Sequence, residues 1–194
     1  MLSVQASTGT RGSSLVEVMV TLTILAFGLL GVAGLQTKVG VAEMESYQRA
    51  QALLALSQMT ERLSANTAQA TSYVSNTPVG TGDAQPTDCS GIAPGANRDL
   101  CEWSNTLKGT TESSAAGTST GGLGGGRGCI TQVQAPNPAP GVCAAGIYQV
   151  SVAWQGTAPT GIPVLACAAG QYGANDAYRR VIATAVYVPT TSCF

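Results

Sequence analysis

The run Leu15–Leu35, LVEVMVTLTILAFGLLGVAGL, constrains this chain more than any other stretch: apart from Glu17, Thr21 and Thr23, every residue in it is apolar or glycine. At about 1.5 Å rise per residue, a helix of this length covers the ~30 Å hydrocarbon core of a bilayer. A secretory signal peptide also joins a basic start to an apolar region. It calls for a shorter apolar stretch, a small-x-small cleavage site and no acid inside. Here Arg11 is the only basic residue upstream, and Glu17 sits inside the run.

A carboxylate at bilayer depth costs about 2.5–3.5 kcal/mol at a helix centre and less near the interface, so Glu17 calls for a cationic partner. Arg11 is the one cation within helical reach along the chain. A cut between Gly12 and Ser13 would create another: the new α-amino group, with an ordinary pKa of ~7.7–8.0, lies one helical turn from Glu17. In a bundle of staggered copies, Glu17 of one subunit would meet the amine of its neighbour.

These residues carry a family resemblance. Arg11-Gly12, then Ser13-Ser14-Leu15-Val16-Glu17 and an apolar helix, resembles the class III signal of type IV pilins and of the pseudopilins of type II secretion. The resemblance implies a leader over residues 1–12, cleaved after Gly12 by an aspartyl prepilin peptidase. It also implies N-methylation of Ser13, where the family usually has Phe or Met, and a role for Glu17 as the assembly carboxylate. Further on, GLLGVAGLQ (28–36) and YQRAQALLALSQMTERLSAN (47–66) resemble the minor pilins called type IV pilus modification proteins (PilV). A weaker likeness rests on GRGCIT, YQVSVAWQG and RRVI. What the family implies is a single-pass inner-membrane protein with a periplasmic head that initiates pilus assembly and enters the fibre. Its partners would be other minor pilins, the major pilin, the prepilin peptidase and the inner-membrane assembly platform, and its roles twitching motility and adhesion. A type II secretion pseudopilin and a bitopic periplasmic binding module are the alternatives.

The expected organisation is an α+β, pilin-like fold. A transmembrane helix over 13–36 continues as an amphipathic helix over 37–66, packed on an antiparallel sheet of three or four strands within a globular region, 67–194. Met44, Tyr47, Leu54, Met59 and Leu63 fall near one stripe, which predicts the buried helix face. Strands are expected at 147–155, 180–189 and 129–134, with 162–169 as a further or edge strand; in the first, Tyr148, Val150, Val152 and Trp154 alternate with polar residues. CEWSNTLKG (101–109) reads as a short helix or turn. The Gly-rich stretch 109–128 reads as a flexible surface loop, since no register of 121–128 completes a phosphate-binding GxGxxG.

Six cysteines, Cys89, Cys101, Cys129, Cys143, Cys167 and Cys193, lie in the globular region with no CxxC pair among them, which points to disulfides rather than a metal site. Nearest-neighbour pairing, with Cys167 to Cys193 closing the last segment, is the expected pattern. The chain contains no histidine, which removes the commonest general base and metal ligand. Neither an enzyme nor a cofactor is expected. Nine Lys plus Arg against ten Asp plus Glu leave no electrostatic footprint for nucleic acid. Asp83, Asp88, Asp99 and Asp176 read as solvated loop charges.

Overall fold

The computed structural model describes residues 12, 14–110 and 121–190. The chain forms two compact units that divide between residues 43 and 44. One helix, α1 (Leu15–Ala65, 51 residues), contributes to both. No proline interrupts it, and Gly28, Gly31, Gly34 and Gly40 all lie within it without breaking it. Glu17 in its first turn and Arg62 in its last complement the helix macrodipole.

In the second unit α1 buries Ala52, Ala55, Leu56, Met59 and Leu63, at i, i+3, i+4, i+7 and i+11. The expected stripe is therefore correct at Met59 and Leu63 but not at Met44, Tyr47 and Leu54, which are 51%, 57% and 65% exposed. Large residues do not mark this face. At 3.6 residues per turn Leu54 lies about 140° round the helix from Met59, whereas the small Ala52 and Ala55 lie close to it. Their size makes room for Trp103, fully buried, whose Nε1–H donates to the Ala55 carbonyl at 2.8 Å.

Four strands, β1 (Val79–Gly80), β2 (Arg127–Gln134), β3 (Gly146–Gln155) and β4 (Arg179–Val188), form an antiparallel meander in chain order. One face carries Ile130, Tyr148, Val150, Val152, Trp154, Val186 and Val188 into the core shared with α1, the 3₁₀ segment Thr67–Tyr73 and helix α2 (Ala96–Lys108). The alternation expected in β3 is borne out, for Tyr148, Val150, Val152 and Trp154 are all buried. The opposite face is covered locally as well, by Cys167, Ala168 and Tyr172 over Cys129 and Ala153.

Residues 162–169 do not form a strand; the fourth place in the sheet is taken by the two-residue β1. Pro163 has no N–H to give a ladder, and the carbonyls of Pro163, Leu165 and Cys167 are bonded instead by the Arg179 guanidinium. The expected turn at 101–109 is the C-terminal part of the longer α2, which ends on Gly109 in the left-handed conformation. Beyond Thr110, the described part of the expected surface loop, residues 121–128, is packed rather than loose. Leu123 is buried, the Gln155 N–H donates to the Gly124 carbonyl, the Thr81 N–H donates to the Gly126 carbonyl, and Gly128 lies directly under the Trp103 ring. Residues 111–120 lie outside the described residues.

Disulfides join Cys89 to Cys101 and Cys129 to Cys167. The first is the expected neighbour pair. The second replaces the expected Cys129–Cys143 and Cys167–Cys193 pairs. Cys129 lies near the start of β2, opposite Ser151, whereas Cys143 lies in the β2–β3 connection beyond Gln134. Five strand residues at about 3.4 Å each separate that end of the hairpin from Cys129, beyond the reach of a disulfide. Cys143 is itself disulfide-bonded, and Cys193 lies outside the described residues. With sequence separations of 12 and 38, the two bridges remove unfolded-chain entropy equivalent to about 3 and about 4 kcal/mol in the chain-closure account.

Candidate assembly segment

Gly12 and Ser14 are exposed immediately before α1, and Ser13 lies outside the described residues, as does Arg11. The Val18 N–H donates to the Ser14 carbonyl at 3.2 Å, so the helical hydrogen-bond pattern begins there, and Glu17 falls in the first turn. The partial positive charge at a helix N-terminus favours a carboxylate in this position. Between Leu15 and Thr37, Glu17 is the only ionisable side chain. The hydroxyls of Thr21, Thr23 and Thr37 donate to the carbonyls of Val18, Met19 and Gly34, which lowers the cost of placing them in an apolar medium.

The apolar window of α1 is long enough to cross a membrane and is 0% buried by the protein itself. Phe27, Leu29 and Leu30 are 72%, 68% and 69% exposed. A continuous apolar surface of this size calls for lipid or other apolar helices around it. A Cβ added at Gly28, Gly31, Gly34 or Gly40 would meet nothing within 4 Å, so nothing in the fold demands glycine there.

The second unit holds α1 by polar ties that the sequence did not single out. Arg62 Nη1 donates to Asp99 at 2.8 Å and to Glu102 at 2.7 Å, joining the end of α1 to α2. The Tyr73 hydroxyl donates to Asp99 and accepts from Asn66 Nδ2 at 3.2 Å. Burial, followed by that bond to Asp99, pushes the Tyr73 hydroxyl up to about 12. Further along α1, Glu45 accepts from Arg180 Nε at 2.6 Å and from both the N–H and the hydroxyl of Thr157. These bonds outweigh the opposing effect of burial and hold the Glu45 carboxyl below its ordinary value.

Of the four aspartates expected as solvated loop charges, Asp88 is one, exposed in a loop, whereas Asp83, Asp99 and Asp176 are committed to protein partners. Asp83 pairs with Lys108 and accepts from the Gly80 N–H and the Ser104 hydroxyl; Asp88 accepts from the Ser90 N–H. Asp99 holds Arg62, and Asp176 holds Arg179 at 3.0 Å while accepting from the Gly170 N–H. Among the described residues no group of three or more possible metal ligands comes together.

A pH dependence follows. Burial pushes the Asp83 carboxyl up, but its bonds from Lys108, Gly80 and Ser104 outweigh that and leave it lowered; Glu102 is lowered chiefly by Arg62. Each of these lowered groups contributes stability that is complete above the unfolded carboxyl range near ~4 and is lost as pH falls through the depressed folded value. The melting temperature, followed by circular dichroism, is expected to be nearly level from about pH 7 to 5 and to drop below about pH 4. Asp83→Asn should start lower and fall less steeply. Tyr73 has the opposite sign: its contribution is complete below its ordinary 10.0 and is lost as pH rises through about 12.

No protein-family model, curated protein or solved structure matches the chain.

Proposed function

We propose that the chain is a minor pilin of the type IV pilus modification protein kind, with a pilin-like fold, that helps to initiate pilus assembly. In this reading α1 anchors it in the inner membrane, its globular unit lies in the periplasm, and it joins other minor pilins and the major pilin in the fibre. The observation that carries the reading is the start of α1: an uncovered apolar helix with a single carboxylate in its first turn, preceded two residues before Ser14 by an exposed glycine. Removal of residues 1–12 would place the α-amino group of Ser13 one turn from Glu17, where cation and carboxylate lower each other's cost in an apolar medium.

Intact mass and N-terminal sequence tell the readings apart. Protein from wild-type cells should begin at Ser13, with or without one methyl group, and protein from cells lacking the prepilin peptidase should still begin at Met1. An N-terminus at Met1 in both would overturn the proposal and favour a bitopic periplasmic module. Glu17→Ala should leave insertion and cleavage intact while lowering recovery with the other pilins at least tenfold; undiminished co-purification and piliation would remove Glu17 from that role. A deletion that spares surface fibres but retains exoproteins would assign the chain to type II secretion.

A further inference from the structure

Among the described residues β4 is an edge strand with an open side. Its even-numbered residues are the ones hydrogen-bonded to β3, because the Gly156 N–H donates to the Tyr178 carbonyl in the same register that pairs Gln155 with Arg179. Antiparallel alternation then turns the N–H and C=O of Val181, Ala183, Ala185 and Tyr187 outward. None of these groups has a hydrogen-bond partner among the described residues outside β4's pairing with β3.

Exposed edges are normally protected by lysine, proline, a bulge or short length. Here the eight residues from Val181 to Val188, VIATAVYV, contain no charge and no proline, and their register with β3 has no bulge. The opposite edge of the sheet, β1, is only two residues long. A cavity lies at each end of β4. That at Arg180–Ile182, about 120 Å³, is also lined by Glu45, Arg49 and Trp154. That at Val188–Thr190, about 320 Å³, is apolar in character and includes Tyr148, Pro136 and Pro138. At the first, Arg180 is neutralised by Glu45, whereas Arg49 forms no ion pair among the described residues, leaving one positive charge unmatched.

We propose that the open edge of β4 docks an extended segment of another protein, which adds a fifth strand through Val181, Ala183, Ala185 and Tyr187. The segment would be uncharged along the strand, with an acidic side chain at Arg49 and an apolar one in the cavity beside Tyr148. Main-chain bonds supply the affinity and the two end cavities the selectivity. A second copy of this chain fits less well. Two-fold antiparallel pairing of β4 with itself would bring the Val188 end of the second copy's strand toward Arg49, and none of Val188, Pro189 and Thr190 supplies an acid there.

The test uses the full chain in detergent and two synthetic octapeptides, EVTVTVTL and LTVTVTVE, which present acid and leucine for parallel and antiparallel docking. One of them is expected to slow hydrogen exchange at the amides of residues 181, 183, 185 and 187. It should bind at least tenfold more tightly than the same peptide with lysine replacing glutamate, or with alternate amides N-methylated along its pairing edge. Ala185→Pro removes one outward N–H that β3 does not use and should weaken binding at least tenfold while the melting temperature moves by only a few degrees. The methylated peptide gives the same information should that variant fold poorly. No protection of the four amides at millimolar peptide, or equal binding of the methylated form, would overturn the proposal. Protection of the same amides by self-association without peptide would assign the edge to a second copy and overturn it too.

Discussion

Gly128→Ala is expected to destabilise the protein by about 3 kcal/mol or more, lowering the melting temperature by roughly 10 °C. An ideal Cβ at Gly128 would stand 2.2 Å from the Trp103 ring and within 2.8 Å of two further ring atoms. The ring cannot retreat, since Trp103 is 0% exposed and its Nε1–H is held at 2.8 Å by the Ala55 carbonyl on α1. A methyl group at this point must therefore displace either β2 or the contact between α2 and α1. Gly91→Ala, with nothing within 4 Å, is the matched control and should shift stability by no more than about 0.5 kcal/mol. Trp103→Phe is destabilising by itself, through lost volume and a lost hydrogen bond. Combined with Gly128→Ala it should cost less than the sum of the two, because the smaller ring leaves room for the methyl. Thermal and urea unfolding of the four chains measures this coupling, and strict additivity would refute the steric account.

The same contact explains why part of the fold was legible in the sequence and part was not. Periodicity along one strand is a local signal, so the inward face of β3 and the extents of β2 and β4 could be read to within a few residues. The uninterrupted helix was legible for a similar reason, because no proline lies near it. The buried face of α1 was not, because it is selected by the fit of Trp103, nearly fifty residues away, over two alanines. A stripe drawn through the largest side chains therefore led to the wrong side of the helix at Tyr47 and Leu54. The Gly-rich segment misled in the same way. Its glycines look permissive locally, yet Gly126 and Gly128 are required by close approach of Leu107 and Trp103. Among the candidate assembly residues, Glu17 is singled out by the sequence alone because a lone acid in an apolar run is conspicuous without any tertiary information. The ion pairs of Arg62 and Glu45 join residues 37 and 135 positions apart, respectively, and no spacing in one sequence signals them.

Arg179 shows how far a single side chain can substitute for regular structure, and Arg179→Met is expected to cost about 3–5 kcal/mol. Its side chain is 3% exposed and donates to the Asp176 carboxylate and to three main-chain carbonyls, those of Pro163, Leu165 and Cys167. The segment it holds has no strand ladder, and it carries Ala168 and Asp176 at positive φ. Methionine fills a similar volume but leaves the three carbonyls without their donor and Asp176 without its cation. Arg179→Lys keeps the charge but lacks the planar fork needed to reach acceptors on both sides, so an intermediate loss of about 2 kcal/mol is expected. The Cys129–Cys167 bridge anchors the middle of the segment independently. The first consequence of Arg179→Met should therefore be local opening between residues 160 and 178, seen as faster hydrogen exchange and proteolytic nicking there, before β2 and β3 unfold. If exchange across β2 and β3 rose in step with that of the segment, Arg179 would be a support of the whole sheet, and the segment would not be a separately opening unit.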